Sequence, residues 1–344
     1  MITNGSERHR GVSLRRRFFS LPTLVSFGIA IAVIVMLSTS SGLDWDETWD
    51  NIRSINVWLY IAAVAVYYLS FLFRGYRWRV LALNATDGAG AEADMPSPLH
   101  CGRLIILGWF VNSIAWLRLG DAYRALAFSE DSKTTFPWSL GTVLAERVLD
   151  MATIAVIIFT SVFVLTATSD LAVAQYIVIM AFVMAFGVIA IILSMRVYGA
   201  RVARLLPTRF ETAFNRFQQG TLGSLREQLP LMLVLGLIGW LLEMGRLYLV
   251  VVALDLEIAI ALVPVVALGH AILSTVPTPG GLGAVEPGIT GLLLLSLNRD
   301  DAVSVAIVDR SITYASIVLI GGALFLLRNV MRARAKRTQA AVTS

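Results

Sequence analysis

Three acid–arginine groups lie inside apolar stretches of this chain. Glu146 and Arg147 are followed one turn later by Asp150 in "LAERVLD"; Glu243 and Arg246 sit three apart in "LLEMGRLYL"; Asp309 and Arg310 are adjacent in "AIVDRSITYA". Residues three or four apart share a helix face, so Arg147 with Asp150 and Glu243 with Arg246 are placed to pair. Ionisable side chains are expensive in a bilayer, and where they occur they mark substrate or ion pathways. A guanidinium is a planar fork that matches phosphate oxygens. Arg147 and Arg310 are therefore candidate phosphate ligands, with Glu146, Asp150 and Asp309 as counter-charges. The competing reading is that these groups are ion pairs that lock helices together.

A second cluster surrounds "PTPGGLG" at 277–283, a turn sequence in a stretch with no charge from Ile258 to Val285. Gly280, Gly281 and Gly283 would shape the turn. A helix starting after it would expose backbone N–H groups that favour phosphate. Glu286, just beyond, is placed to pair an arginine or accept an amino group. In the first half, "WLRLGD" at 116–121 offers Arg118 and Asp121. His270 and Asn112 lie in apolar context close to the two glycine motifs, where a satisfied interior polar group is the plainer reading than a ligand contact.

Enzyme chemistry finds little to work with. Cys101 is the only cysteine, so no intrachain disulfide and no cysteine-based metal site can form. His9, His100 and His270 are too scattered for a histidine cluster. No Ser-His-Asp arrangement and no P-loop appears. No cofactor and no metal is expected.

The elements that must carry these groups belong to a membrane protein. The 344 residues are 57% hydrophobic and 15% charged, with mean hydropathy +0.75; soluble domains are about 25% charged. The net charge of +5 does not argue for nucleic acid, because the basic residues flank apolar runs. A spanning helix needs about 20 apolar residues. The candidates are 21–41, 56–73, 137–166, 172–195, 229–253 and 301–328. Two apolar regions are irregular: 104–117 is short, and 258–297 is long but broken by the proline–glycine turn.

Lys and Arg mark the cytoplasmic side. They place both termini inside and the acidic "DWDETWD" at 44–50 outside, with Arg74, Arg77, Arg79 and Arg124 counted near the cytoplasm. Trp45, Trp49, Trp58 and Trp138 suit interfacial belts. The loop 84–98 is small and polar. The basic stretch 196–228 is placed along the inner leaflet. The expected organisation is a basic segment 1–20, a transmembrane domain 21–328 with halves 21–168 and 169–328, and a basic tail 329–344.

The halves echo each other. Gly120 precedes Glu146–Arg147 by 26 residues, and Gly283 precedes Asp309–Arg310 by the same 26. Each half would hold three crossings and one irregular segment. An odd number inverts the second half, as in transporters whose broken helices meet near the midplane. The predicted fold is all-α: a polytopic bundle of about six spans plus two re-entrant segments, in an inverted repeat. Two full spans joined by a cytoplasmic loop are the alternative for 258–297.

"NSIAWLRLGDAYR" with "LAERVLD", "HAILSTVPTPGGLGAVE" and "DRSITYASIVLIGG" resembles the lysylphosphatidylglycerol synthase transmembrane family. This is the flippase-like module of the bacterial multiple peptide resistance factor and of stand-alone proteins. The resemblance covers about residues 20–330. The family pattern has a proline before the first Arg-Leu-Gly and a glutamate after it, where this chain has Asp121. A soluble synthase domain is not seen. The resemblance implies lipid translocation, not lysyl transfer. The expected partner is a membrane lipid: an anionic or aminoacyl phospholipid, or a polyprenyl-phosphate lipid. The expected location is the inner membrane of a cell, as a multi-pass protein. The alternatives are an intramembrane lipid or glycolipid transferase, and a non-transporting accessory protein of envelope lipid synthesis.

Overall fold

The computed structural model describes residues 28, 43–86, 95–115, 119–168 and 174–342. The basic segment 1–20, the span expected at 21–41 and Arg118 lie outside them. The described residues are helical, with no strand among them.

A short helix α1 (Trp45–Arg53) starts at Asp44, whose carboxylate accepts from the N–H groups of Asp46 and Glu47. Asn56 caps α2 (Val57–Asn84) in the same way. After it come α3 (Pro98–Ile114), α4 (Gly120–Asp131), α5 (Phe136–Thr168), α6 (Ala174–Leu205) and α7 (Thr208–Ser224). The second half holds α8 (Leu229–Ala253), α9 (Leu262–Leu273), a 3-10 turn Pro279–Gly281, α10 (Val285–Leu293) and α11 (Arg299–Arg310). α11 runs through a π-helical turn, Ser311–Ala315, into α12 (Ser316–Val342).

Among the described residues three helices are long and apolar enough to cross a membrane: Val57–Asn84, Leu229–Ala253 and the continuous Arg299–Ala335. α2 therefore extends past the expected end at residue 73. It carries Arg74 and Arg77, 6% and 1% exposed, into the interior. Arg124, counted near the cytoplasm with them, is fully buried as well. The physical reason is pairing: each meets a carboxylate from another helix. Trp138 is likewise buried, 5% exposed, whereas Trp45, Trp49 and Trp58 are exposed as expected.

Both irregular regions are helix–break–helix hairpins. α3 ends at Ala115, which is extended, and α4 starts at Leu119–Gly120. The arms touch where Gly120 N–H donates to Asn112 Oδ1 at 2.7 Å. In the second half, α9 and α10 flank a turn in which Gly280, Gly281 and Gly283 take φ of +60°, +72° and +79°, a region other residues avoid. Arms of 12 and 9 residues are shorter than the roughly 20 residues that a span requires.

The two tips meet. A β-carbon on Gly280 would lie 3.4 Å from Ser113 Cα at the end of α3. Tyr314 Oη donates to the Ser113 carbonyl at 3.2 Å. The central pair α2 and α8 packs alongside, and the hairpins lie against it.

Candidate functional site

The acid–arginine groups of the sequence converge on the junction of the two hairpins, and the long helices supply partners from α2 and α8. Glu146 on α5 accepts from Arg124 of the α4 arm at 2.8 Å and lies 3.7 Å from Arg77 of α2. Arg77 in turn donates to Asp150 at 2.6 Å. In the other half Asp309 pairs with Arg246 of α8, and His270 Nδ1 of the α9 arm is 3.2 Å from its second oxygen. Arg74 of α2 and Glu243 of α8 join the central helices at 3.3 Å.

The repeat-related arginines behave alike. Arg147 donates to Asp121 at 2.9 Å. Arg310 donates to Glu286 at 2.8 Å and to the Gly280 carbonyl at 3.0 Å. Each therefore ties the helix after a hairpin to an acid just past that hairpin's tip. The side chain of Arg147 is one-third exposed and that of Arg310 one-tenth. Arg310 also stacks beneath Tyr314, 4.8 Å from the ring centre.

A cavity of about 480 Å³ opens at this junction. Asp121, Asp150, Arg147, His270, Gly280 and Arg310 line it, with Asn112 and the residues Arg74, Trp240, Glu243 and Arg246 of the central pair. Glu146, Asp309, Glu286, Gly281 and Gly283 are not in the lining; of these, Asp309 holds Arg246 and His270, and Glu286 holds Arg310. Trp109 and Trp240 flank the Arg74 guanidinium at 5.5 and 5.7 Å. Trp240 Nε1 and the Nε atoms of Arg74 and Arg147 are buried donors with no acceptor among the described residues. Buried donors of this kind are normally paired.

At the second tip the N–H groups within the turn are already occupied. The N–H groups of Gly281, Leu282 and Ala284 donate to carbonyls within the turn, and that of Gly283 donates to Glu286 at 2.7 Å. Glu286 thus staples the tip. Sequence reading missed Arg74, Arg77 and Arg124 as site groups. The signal was present: "FLFRGYRWRVLAL" keeps its apolar content past the arginines.

Beyond the cavity, the hairpin base is tied to α12. Asp131 accepts from His100 at 2.8 Å and from Arg328 at 2.7 and 2.8 Å. Burial pushes this carboxyl up, but His100 and Arg328 outweigh it and hold it well below the usual carboxylate range. Among the described residues no group of three or more His, Cys, Asp or Glu could hold a metal ion.

Comparison with known proteins matches residues 25–321 to the family described as the lysylphosphatidylglycerol synthase TM region. A UPF0104 membrane protein of Methanocaldococcus jannaschii is 29% identical over 232 residues, 65% of this chain and 97% of that protein. A UPF0104 membrane protein of Pyrococcus horikoshii is 23% identical over 332 residues, 87% of this chain and 95% of the relative. A third, from Methanothermobacter thermautotrophicus, is 23% identical over 343 residues, 90% of this chain and 92% of its own length.

Proposed function

The chain belongs to the lysylphosphatidylglycerol synthase transmembrane-region family, and from that premise we propose that it carries a polar-headed phospholipid between the leaflets of the cell membrane. The observation that carries the reading is the shared cavity. Arg147 and Arg310, one from each half, line the same space where the hairpin tips touch. The volume suits a headgroup, and donors that lack acceptors suit phosphate and hydroxyl oxygens. The rim includes Met151 of α5 and Ile272 of α9, 38% and 41% exposed, which gives acyl chains an apolar exit toward lipid.

In this mechanism the halves are inverted repeats and both termini are cytoplasmic. α3–α4 enters from the inner side and α9–α10 from the outer side. Irregular backbone at membrane depth is tolerated where protein or a cavity shields it, and each tip shields the other. Arg147 and Arg310 take turns releasing their acids to hold the phosphate. The exchange replaces one charge-assisted bond with another, so its barrier stays low compared with desolvating a bare phosphate. Alternate loosening of the two tips opens the cavity to each side. The protein acts as a transporter rather than as a transferase.

The test uses liposomes holding the purified chain and a trace of acyl-labelled fluorescent phosphatidylglycerol. A membrane-impermeant reductant should bleach label from both leaflets when the protein is present and from the outer leaflet alone in empty vesicles. Lipid extracted afterwards should be chemically unchanged. A new lipid product would establish the transferase reading, and protected label with unchanged lipid would leave an accessory role.

A further inference from the structure

The two halves hold their buried carboxylates with different chemistry. Glu146 and Asp309 each precede a cavity arginine, and they are 1% and 0% exposed. Each is gripped first from the central pair, by Arg77 of α2 or Arg246 of α8. Each is gripped second from a hairpin arm: Glu146 by Arg124 of α4, Asp309 by His270 of α9. Arginine stays charged at any physiological pH, whereas histidine is the side chain that titrates there. The repeat therefore keeps a permanent cation in one half and a switchable one in the other.

We propose that His270 is a proton site coupled to the headgroup, so that an anionic lipid occupies the cavity together with one proton. The inference rests on the lipid-carrying reading above and names its coupling ion.

The argument is one of charge. Around the cavity each guanidinium has its carboxylate: Arg74 with Glu243, Arg77 with Asp150, Arg124 with Glu146, Arg147 with Asp121, Arg246 with Asp309 and Arg310 with Glu286. With a neutral imidazole the set sums to zero. A phosphodiester brings one negative charge into this low-dielectric space, where an uncompensated charge is costly. A proton on the His270 ring restores neutrality. The groups that face His270 leave it as the one to respond. Arg246 and Glu243 of α8 are paired to each other at 3.4 Å. Asp309 and Arg310 of α11 have the partners just given. Across the cavity, Arg74 on α2 and Arg147 and Asp150 on α5 are also paired, and so is Asp121 of α4. Tyr67 and Tyr314 are phenols, which stay neutral at physiological pH. His270 lines the cavity and its Nδ1 lies 3.2 Å from Asp309, so a protonated ring would sit within ion-pair distance of a carboxylate and face the cavity. The proton comes from water as lipid enters and returns to water on the far side as lipid leaves; no covalent bond of the lipid changes.

The test measures protons directly. Full-length protein in nonionic detergent is titrated with dihexanoylphosphatidylglycerol in two buffers of different ionisation enthalpy. Above the histidine range, about one proton should be taken up per lipid bound, and affinity should rise about tenfold per pH unit of acidification. Dihexanoylphosphatidylcholine, which is zwitterionic, should take up none. His270→Gln should bind with no uptake and a flat pH profile. A variant with His9→Gln and His100→Gln, whose only histidine is His270, should keep the full slope and supports the proposal even if His270→Gln fails to fold. Binding without proton uptake, an unchanged slope in His270→Gln, or loss of the slope in the double variant overturns the proposal and leaves lipid carriage standing. No binding of the anionic lipid by the wild type overturns both.

Discussion

Arg147 and Arg310 each reach an acid of the hairpin that precedes their helix, at 2.9 and 2.8 Å. Replacing either by Lys keeps a charge that can pair with Asp121 or Glu286, so the fold should persist. It removes the planar fork that holds two oxygens at once. A charge-assisted hydrogen bond contributes about 1.5–3 kcal/mol, which corresponds to roughly 10–100-fold in rate. Arg147→Lys and Arg310→Lys should therefore slow lipid exchange by that factor while thermal unfolding in detergent stays within a few degrees of the wild type. Wild-type exchange in both variants would assign these arginines to structure alone. The residues behind them differ: Glu146 and Asp309 carry the ion-pair reading that the sequence left open, since they touch other helices and not the cavity.

Within an element, the glycines of the two hairpins do different jobs. Gly120 is a contact between arms. A β-carbon there would collide with the Gly108 carbonyl and lie 2.6 Å from Asn112 Oδ1. Backbone cannot move aside as a flexible side chain would, so Gly120→Val should separate α3 from α4 at about 3 kcal/mol or more. Gly283 is a turn residue with φ +79°, and Gly283→Ala should cost roughly 1–2 kcal/mol. Midpoints of unfolding in detergent should fall in that order. Equal losses would mean that the arms are not packed through Gly120. Both glycines precede an acid–arginine pair by 26 residues, but the packing around them is not the same.

Over the whole molecule, the first hairpin is tied at both ends: its tip to the second hairpin at Gly280 and to Tyr314 of the π-helical turn, its base to α12 through Asp131 with Arg328 and Arg332. Asp131 has a depressed native pKa. Its contribution to stability is thus fully present above the unfolded value of about 3.9 and is lost only as pH falls through the lower native value. Asp131→Asn should destabilise the protein by about 2 kcal/mol, discounted for partial exposure of the pair. The gap between variant and wild type should stay level from pH 8 to pH 5 and close below pH 4, read by tryptophan fluorescence on heating. A gap that is not level from pH 8 to pH 5 would show that the arginines alone do not hold the base.

Composition and periodicity were enough to establish a helical membrane protein. "PTPGGLG" was enough to predict a break at 277–283, because only glycine tolerates those φ values and proline ends a helix. The pairing of Glu243 with Arg246 and of Arg147 with Asp150 was also legible, since helical spacing is local. What tertiary structure decided is long-range. A count of basic residues cannot tell a solvated arginine from one whose carboxylate lies on another helix, so it did not show that Arg74, Arg77 and Arg124 are buried. No local pattern says that Glu286 occupies the Gly283 N–H. Nor does any spacing bring His270 to Asp309: that contact exists because α9 and α11 fold against α8, and the charge balance of the cavity follows from it.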